Sequence, residues 1–536
     1  MTHRRKKWLT VAGILLGMSA VLIIGLLVAV SALRKRFEPY IRAQAIAYLR
    51  QRFDSDVELA ALHIRLPAIS PVHMLMARGR GTLAQVEGSG LVLRQGNRRD
   101  IPPLLALKNF SFEVDLGTVF EVKKSVRQVV MQGLELTIPP KGERTALTAV
   151  KRHTGEPASK GSGGITIKTV LITDCRLVIL PKNQAKTPLT FDILKLELKS
   201  AGNELPMQYD AVLTNPRPPG LITSTGSFGP WAADAPGDTP LKGNYIFEKA
   251  DLGVFTAIAG ILHSTGDFAG TLSAINAEGT ATVPDFRLKR AGNPVALSVT
   301  FEVLVDGGNG NTTLQPVHAV LGSTRFTTSG AVIRKDGDSR RSILLDVNMP
   351  SGDLHDVLRL AMKGAPFMDG TIALLTKIEV PPLTGKVKEK LLLDGRFKIS
   401  NGKFLRSELQ SKIDALSRRG QGQPKNEEIT EVFSDMKGNF RLEDQTLTFR
   451  SLTFATPGAD VSLAGQYHMA NGGTAEDELD FHGSLRLQAR VSQTMTGWKR
   501  WALKPVDPFF AKNGAGTFLR IKIDGNSKSP NFGLDR

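Results

Sequence analysis

The residues that could do chemistry are few and scattered. The tightest constellation is Gly352-Asp353-Leu354-His355-Asp356, which places two carboxylates and one imidazole within four positions, a set that could offer a metal two oxygens and a nitrogen. The same spacing reads more simply as a helix start, with Asp353 as N-cap and His355 on the surface. The nine histidines are otherwise dispersed, and no G-x-S-x-G, Walker A, H-E-x-x-H or G-x-G-x-x-G pattern occurs. Glu476, Asp477, Glu478 and Asp480 read as a solvated turn. Cys175, the one cysteine, sits in the apolar run VLITDCRLVIL, reads as a small core residue and excludes an intramolecular disulfide. The chain is therefore expected to be no enzyme, with no catalytic residue, no metal and no cofactor.

What remains is apolar chemistry at a spacing of two. Phe110, Phe112 and Val114 alternate with Ser111, Glu113 and Asp115. Leu134 and Leu136, then Leu194, Leu196 and Leu198, and near the end Leu485 and Leu487, do the same. Such alternation puts one face of a strand on an apolar surface and the other in water. A second chemistry lies at residues 497–510, GWKRWALKPVDPFF. Here Trp498, Trp501, Phe509 and Phe510 interleave with Lys499, Arg500 and Lys504, the mixture found at a membrane interface. An ordinary packed turn between strands is the other reading of this stretch.

These side chains need elements to position them. Alternation recurs at 57–66, 110–116, 134–138, 165–167, 194–198, 301–305, 485–490 and 519–523. Turn signals are read at Glu87-Gly88-Ser89-Gly90, Asp306-Gly307-Gly308-Asn309-Gly310 and Lys335-Asp336-Gly337-Asp338. The spacing predicts a mainly β, antiparallel body. It predicts short helices at 252–262, 353–362 and 407–416, the last opening on the capping-box pattern Ser407-Glu408-Leu409-Gln410 and ending near Gly420. Residues 139–164 and 417–426 read as loops, and a soft boundary is placed near 385–392, after Pro381, Pro382 and Gly385.

Residues 8–33, WLTVAGILLGMSAVLIIGLLVAVSAL, carry no charge. As a helix they would be roughly 39 Å long, enough for a ~30 Å hydrocarbon core, and longer than the apolar run of a signal peptide. They read as an uncleaved anchor, with Trp8, Leu15, Leu22 and Leu27 among its residues; Gly13 and Gly17 form a G-x-x-x-G pair. Residues 37–53 read as an amphipathic helix that caps a sheet or lies on the bilayer surface. Formal net charge is +18, and half of the excess lies in residues 1–53 around the apolar run. The rest is dilute and mixed in sign, which argues against a nucleic-acid partner. Basic residues stand on both sides of the apolar run, so charge alone does not orient it.

An N-terminal anchor, a short amphipathic helix and alternating strands to the end resemble the AsmA-like family of bacterial envelope proteins. The local stretches that carry the resemblance are PPLLALKNFSFEVDL at 102–116, QGLELTIPP at 132–140, SFGPW at 227–231, LDGRFKISNGKF at 393–404 and GTFLRIKIDGNSKSPNFGLD at 516–535. The resemblance implies an elongated, taco-like β-groove with an apolar floor and no catalytic residues. Its implied domains are a basic cytoplasmic tip at 1–7, the anchor at 8–33, the helix at 37–53, a periplasmic groove body at 54–390 and an AsmA-like C-terminal β region at 391–536. It implies an inner-membrane, single-pass protein with phospholipid as partner and other envelope proteins beside it; a homo-oligomer is not expected, because pairs such as Gly13–Gly17 are frequent in membrane helices by chance. The groove lining would then be Phe110, Phe112, Val114, Leu134, Leu136, Leu194, Leu196, Leu198, Leu485 and Leu487. The function so implied is phospholipid transport toward the outer membrane; the alternative is an envelope scaffold or assembly factor without lipid cargo.

Overall fold

The computed structural model describes residues 39–535, without 51–55, 66–82, 95–98, 116–123, 139–164, 181–187, 202–205, 335–339, 470–476 and some single positions, Trp231 among them. The expected anchor with Trp8, Leu15, Leu22 and Leu27, the Gly13–Gly17 pair, the loop at 139–164 and the turn at 335–338 lie outside the described residues. Among the described residues no helix is long and apolar enough to cross a membrane. The chain is mainly β, as its alternation predicts, and falls into two compact units. One holds the residues up to Pro216 with Ile222–Thr239; the other holds Arg217–Leu221 with Pro240–Arg536.

The first unit contains β1 (Asp56–Arg65), β2 (Leu83–Arg94), β3 (Leu105–Asp115), β4 (Lys124–Ile138), β5 (Ile165–Ile179), β6 (Leu189–Ala201) and β7 (Met207–Pro216). Each pairs with the next, and all pairs are antiparallel except β4 with β5. That parallel pair corrects the expectation of a purely antiparallel body. Parallel neighbours need a crossover of a dozen or more residues, and residues 139–164 supply the length. The helical residues described between 39 and 50 dock on this unit: Ile46 packs against the buried Leu59, Leu62 and Val86. Arg42 Nε donates to the Leu59 carbonyl at 2.7 Å, and Arg50 to the Val57 carbonyl at 3.3 Å.

Strict alternation breaks at one shared register across β1–β6. The core side takes Leu59 then Leu62, Val86 then Leu91, Leu107 then Phe110, Met131 then Leu134, Ile172 then Cys175, and Ile193 then Leu196. Each step is an odd number of residues, three on five of the strands and five on β2, where strict alternation allows only even steps. At the crease Gly90, Gly133 and Asp174 have φ of 64°, 68° and 53°. A left-handed residue turns the strand so that the facing of later side chains is exchanged, and glycine does this without a Cβ penalty. Glu87-Gly88-Ser89-Gly90 is thus not a turn but the interior of β2. Gly88 is a glycine for a second reason: a Cβ there would lie 2.1 Å from the Phe110 ring.

β8 (Pro219–Phe228) has residues in both units. The second unit continues with β9 (Pro240–Asp251), the short β10 (Ile258–Ala259), β11 (Ile261–Thr271), β12 (Ala274–Leu288), β13 (Val295–Val305), β14 (Thr312–Leu321), β15 (Thr324–Ile333) and β16 (Ser342–Asp353). It ends with β17 (Met368–Val380), β18 (Leu392–Phe404), β19 (Ser434–Glu443), β20 (Thr446–Thr456), β21 (Ala459–His468), β22 (Glu478–Leu487), β23 (Thr517–Asn526) and β24 (Ser529–Leu534). From β11 to β24 each strand pairs antiparallel with the next, β9 pairs with β11, and β10 pairs with β12. The boundary placed near 385–392 falls inside this ladder, which runs from β17 to β18 with Ile378 opposite Leu393.

The helices are α1 (Leu354–Ala361), α2 (Val387–Lys390), α3 (Ser407–Gly420), α4 (Trp498–Leu503) and α5 (Asp507–Phe510). In a meander, every connection that follows an even-numbered strand from β12 on lies at one end, so α1, α3, α4 and α5 share an end and α2 lies at the other. Asp353 caps α1, accepting from the His355 N–H at 2.9 Å. α3 begins at the expected cap position, so Ser407 is inside the helix, and Gln410 Oε1 instead accepts from Phe404 N–H at 2.9 Å. The helix expected at 252–262 is a single 3-10 turn, Leu252–Val254, followed by β10 and the start of β11. Gly260, with φ of 138°, stands between β10 and β11.

Candidate functional site

The apolar face of the second unit is half-buried rather than buried. Along β13, Leu297, Val299, Phe301 and Val303 are half-buried while Ser298, Thr300 and Glu302 are exposed. β21 repeats this with Val461, Leu463 and Tyr467 against Asp460, Ser462 and Gln466, and β9 with Leu241, Tyr245 and Phe247. A sandwich core would bury these rows completely. Buried residues of this unit form one cluster beside α1, Met349, Leu354, Met368, Ile372 and Ile399, and are otherwise dispersed, as at Val283, Val317, Leu442, Phe481 and Leu487.

An aromatic row crosses this face. Phe397 lies 6.3 Å from Phe440 and 6.5 Å from Phe449, and Phe449 lies 6.0 Å from Phe481, all in tilted or edge-on geometry. The rings lie over glycines of neighbouring strands. A Cβ on Gly438 would meet Phe397 at 2.9 Å, and one on Gly465 would meet Phe481 at 2.8 Å. The row was missed in the sequence, although the repeated Gly-x-Phe of Gly395–Phe397 and Gly438–Phe440 is its signature.

Of the lining residues expected in the first unit, Phe110, Leu134, Leu136, Leu196 and Leu198 belong to one cluster with Val170, Ile172 and Cys175. Phe112 stacks on Phe110 at 6.4 Å with planes 3° apart and packs near Leu59 and Val86. Val114 pairs through its backbone with Ala84. Leu194 departs from the set: it is 50 % exposed, and Ile193 takes the place in the cluster. The cause is the crease, which crosses β6 at Leu194, where the β6–β7 register also shifts. Cys175 is buried, and burial alone pushes its thiol up to about 11, so it stays protonated and inert. In the second unit Leu485 is half-buried and Leu487 buried, with Leu485 between Val461 and Leu519.

The C-terminal aromatics stand out from the fold. Trp498, Trp501 and Phe509 are 76 %, 73 % and 75 % exposed, while Phe510 is half-buried. Lys504 Nζ sits 5.3 Å from the Trp501 ring centre. The base of this connection is pinned: the buried Asp507 carboxylate accepts from Ser492 N–H at 2.8 Å and from Ser492 Oγ at 2.7 Å. The rings are thus held outward by a tethered scaffold and are not the packed turn of the alternative reading. Three large aromatic rings are thus left exposed along one connection, the residue type favoured where a surface is apolar on one side and wet on the other.

The polar clusters are engaged in structure. His355 Nδ1 lies 3.0 Å from Asp369 Oδ1, and Asp356 Oδ2 accepts from Ser323 N–H at 2.7 Å and Ser323 Oγ at 2.8 Å. Asp477 accepts from the Tyr467 hydroxyl, Asp480 lies 3.2 Å from His482, and Glu478 and Asp480 are on β22 rather than in a turn; Glu476 lies outside the described residues. No known protein family, no curated protein and no solved structure matches the chain.

Proposed function

We propose that this chain is a membrane-anchored, non-enzymatic envelope protein that holds phospholipid acyl chains along its apolar β face and supports lipid transport toward the outer membrane. The observation that carries this reading is the half-buried apolar face of the second unit, with its row of phenylalanines laid over glycines. Each acyl CH₂ placed on such a face contributes about 0.8 kcal/mol, and neighbouring strands offer similar floors, so a chain could shift along the face without a deep pocket to trap it. The resemblance to AsmA-like proteins supports an inner-membrane anchor at 8–33, a periplasmic body and a taco-like groove. Trp498, Trp501 and Phe509, with Lys499, Arg500 and Lys504 around them, supply a second contact with an anionic bilayer surface.

One observation favours a scaffold without lipid cargo. β24 pairs only with β23 among the described residues and exposes Phe532 and Leu534 at 75 % and 64 %, so its free edge could accept a partner strand. Lipid extraction from purified full-length chain separates the two. Leu196→Asp and Leu463→Asp, one in each unit, should keep the far-ultraviolet circular dichroism of the parent and lower bound phospholipid by about half or more, since each puts a charge where an acyl chain would lie. Unchanged lipid content in folded variants would sink the acyl-binding reading.

A further inference from the structure

The polar face of the second unit carries a concavity that acyl binding does not use. Its volume is about 580 Å³, and it is lined from β14 across to β20. Two bulges bound it. At Gln315-Pro316 on β14 and at Arg450-Ser451 on β20 the register shifts, and in each case two consecutive residues are exposed together. Bulges bend a strand and re-aim its side chains. Here the bends flank the concavity, and the second one adds Arg450 beside the position that Ser451 alone would occupy.

Between the bulges the register aligns polar residues in rows. One row runs Thr327, Asn348, Leu375, Arg396, Asn439, Ser451, and the next runs Ser329, Asp346, Lys377, Asp394, Arg441. Four cations, Lys377, Arg396, Arg441 and Arg450, line the concavity against two acids, Asp346 and Asp394. Arg441 is paired with Glu443 at 2.9 Å, whereas Lys377, Arg396 and Arg450 make no ion pair among the described residues. In the middle Leu375, 44 % exposed, interrupts the polar face.

We propose that this concavity binds the phosphoryl group of a small hydroxylated molecule, a sugar phosphate or a glycerophosphoryl headgroup. Arg396 and Arg450 stand on either side of Asn439 and present planar forks to phosphate oxygens. Asp346 and Asp394 accept from hydroxyls of the attached polyol, and Thr327, Asn348 and Asn439 add donors. Leu375 offers its apolar surface to the carbon face of the ring. The volume suits a small molecule. The site is on the face opposite the apolar floor, so it stands or falls independently of acyl binding.

Isothermal titration of the full chain in neutral detergent, at low ionic strength, tests the site. The probes are glucose 1,6-bisphosphate, glucose and dihexanoyl phosphatidylglycerol. The bisphosphate should bind saturably and glucose should not. Arg396→Gln and Arg450→Gln should each weaken binding about tenfold, while Arg520→Gln, an exposed cation outside the concavity, should not. Competition by dihexanoyl phosphatidylglycerol would make the natural ligand a lipid headgroup; a site that ignores it takes a soluble phosphate. Absence of saturable binding by either phosphorylated probe, or binding unchanged in both arginine variants, overturns the proposal. So does tighter displacement by poly-glutamate, which would make the face a protein-docking surface.

Discussion

Gly90, Gly133 and Asp174 decide the facing of the first unit's strands. Each sits at positive φ on the same transverse line, and each exchanges the side on which the following residues emerge. Gly133→Val would force a β-branched side chain into φ near 68°, at a cost of about 1–3 kcal/mol, visible as a lower unfolding midpoint. Asp174→Gly removes such a penalty and should leave that midpoint equal or raised; if Gly133→Val leaves it unchanged, the crease is not needed. The same residues explain what the sequence hid. Alternation was legible on β1, β3, β4, β5 and β6 but not on β2, and Phe110, Leu134 and Leu196 lie in the apolar cluster. Leu194 was misplaced, because a period of two cannot register one three-residue step. Gly88 and Gly90 looked like a turn because glycine marks both a turn and a close approach.

At the scale of elements, capping chemistry was the better guide. Asp353 starts α1 as its type predicts, since its carboxylate satisfies a free N–H of the first turn. Ser407 does not cap α3, because Gln410 is drawn back to Phe404 and on to Asp414, at 2.9 Å each. The connection that carries α4 and α5 shows the clearest division of labour: Asp507 fixes its base and three rings face outward. Replacing Trp498, Trp501 and Phe509 together by Ala should move the thermal midpoint by no more than about 2 °C, because the rings contribute little to folding. With Trp8 and Trp231 replaced by Phe, so that Trp498 and Trp501 are the emitters, brominated anionic lipid should quench the tryptophan emission of the chain. Quenching absent in that background would show that the rings serve a protein partner instead.

For the whole molecule, the β class was legible because period-two patterns and turn residues persist to the C-terminus. The parallel pairing of β4 with β5 was not, because a loop such as 139–164 is compatible with either direction of return. The division into units near 217–239 went unread although Pro218-Pro219-Gly220, Gly229-Pro230 and Pro236-Gly237 mark it, whereas Pro381-Pro382 lies inside an unbroken ladder. What unites the account is an apolar β face left without a dry cover. The most direct test places a photoreactive benzophenone side chain at Val299 and Leu463 on that face, and at Thr300 and Ser462 on the opposite one, in the full chain within native membranes. Irradiation should give phospholipid adducts from Val299 and Leu463 and few from Thr300 and Ser462. Protein adducts alone, or equal lipid labelling from both faces, would contradict an acyl-binding floor.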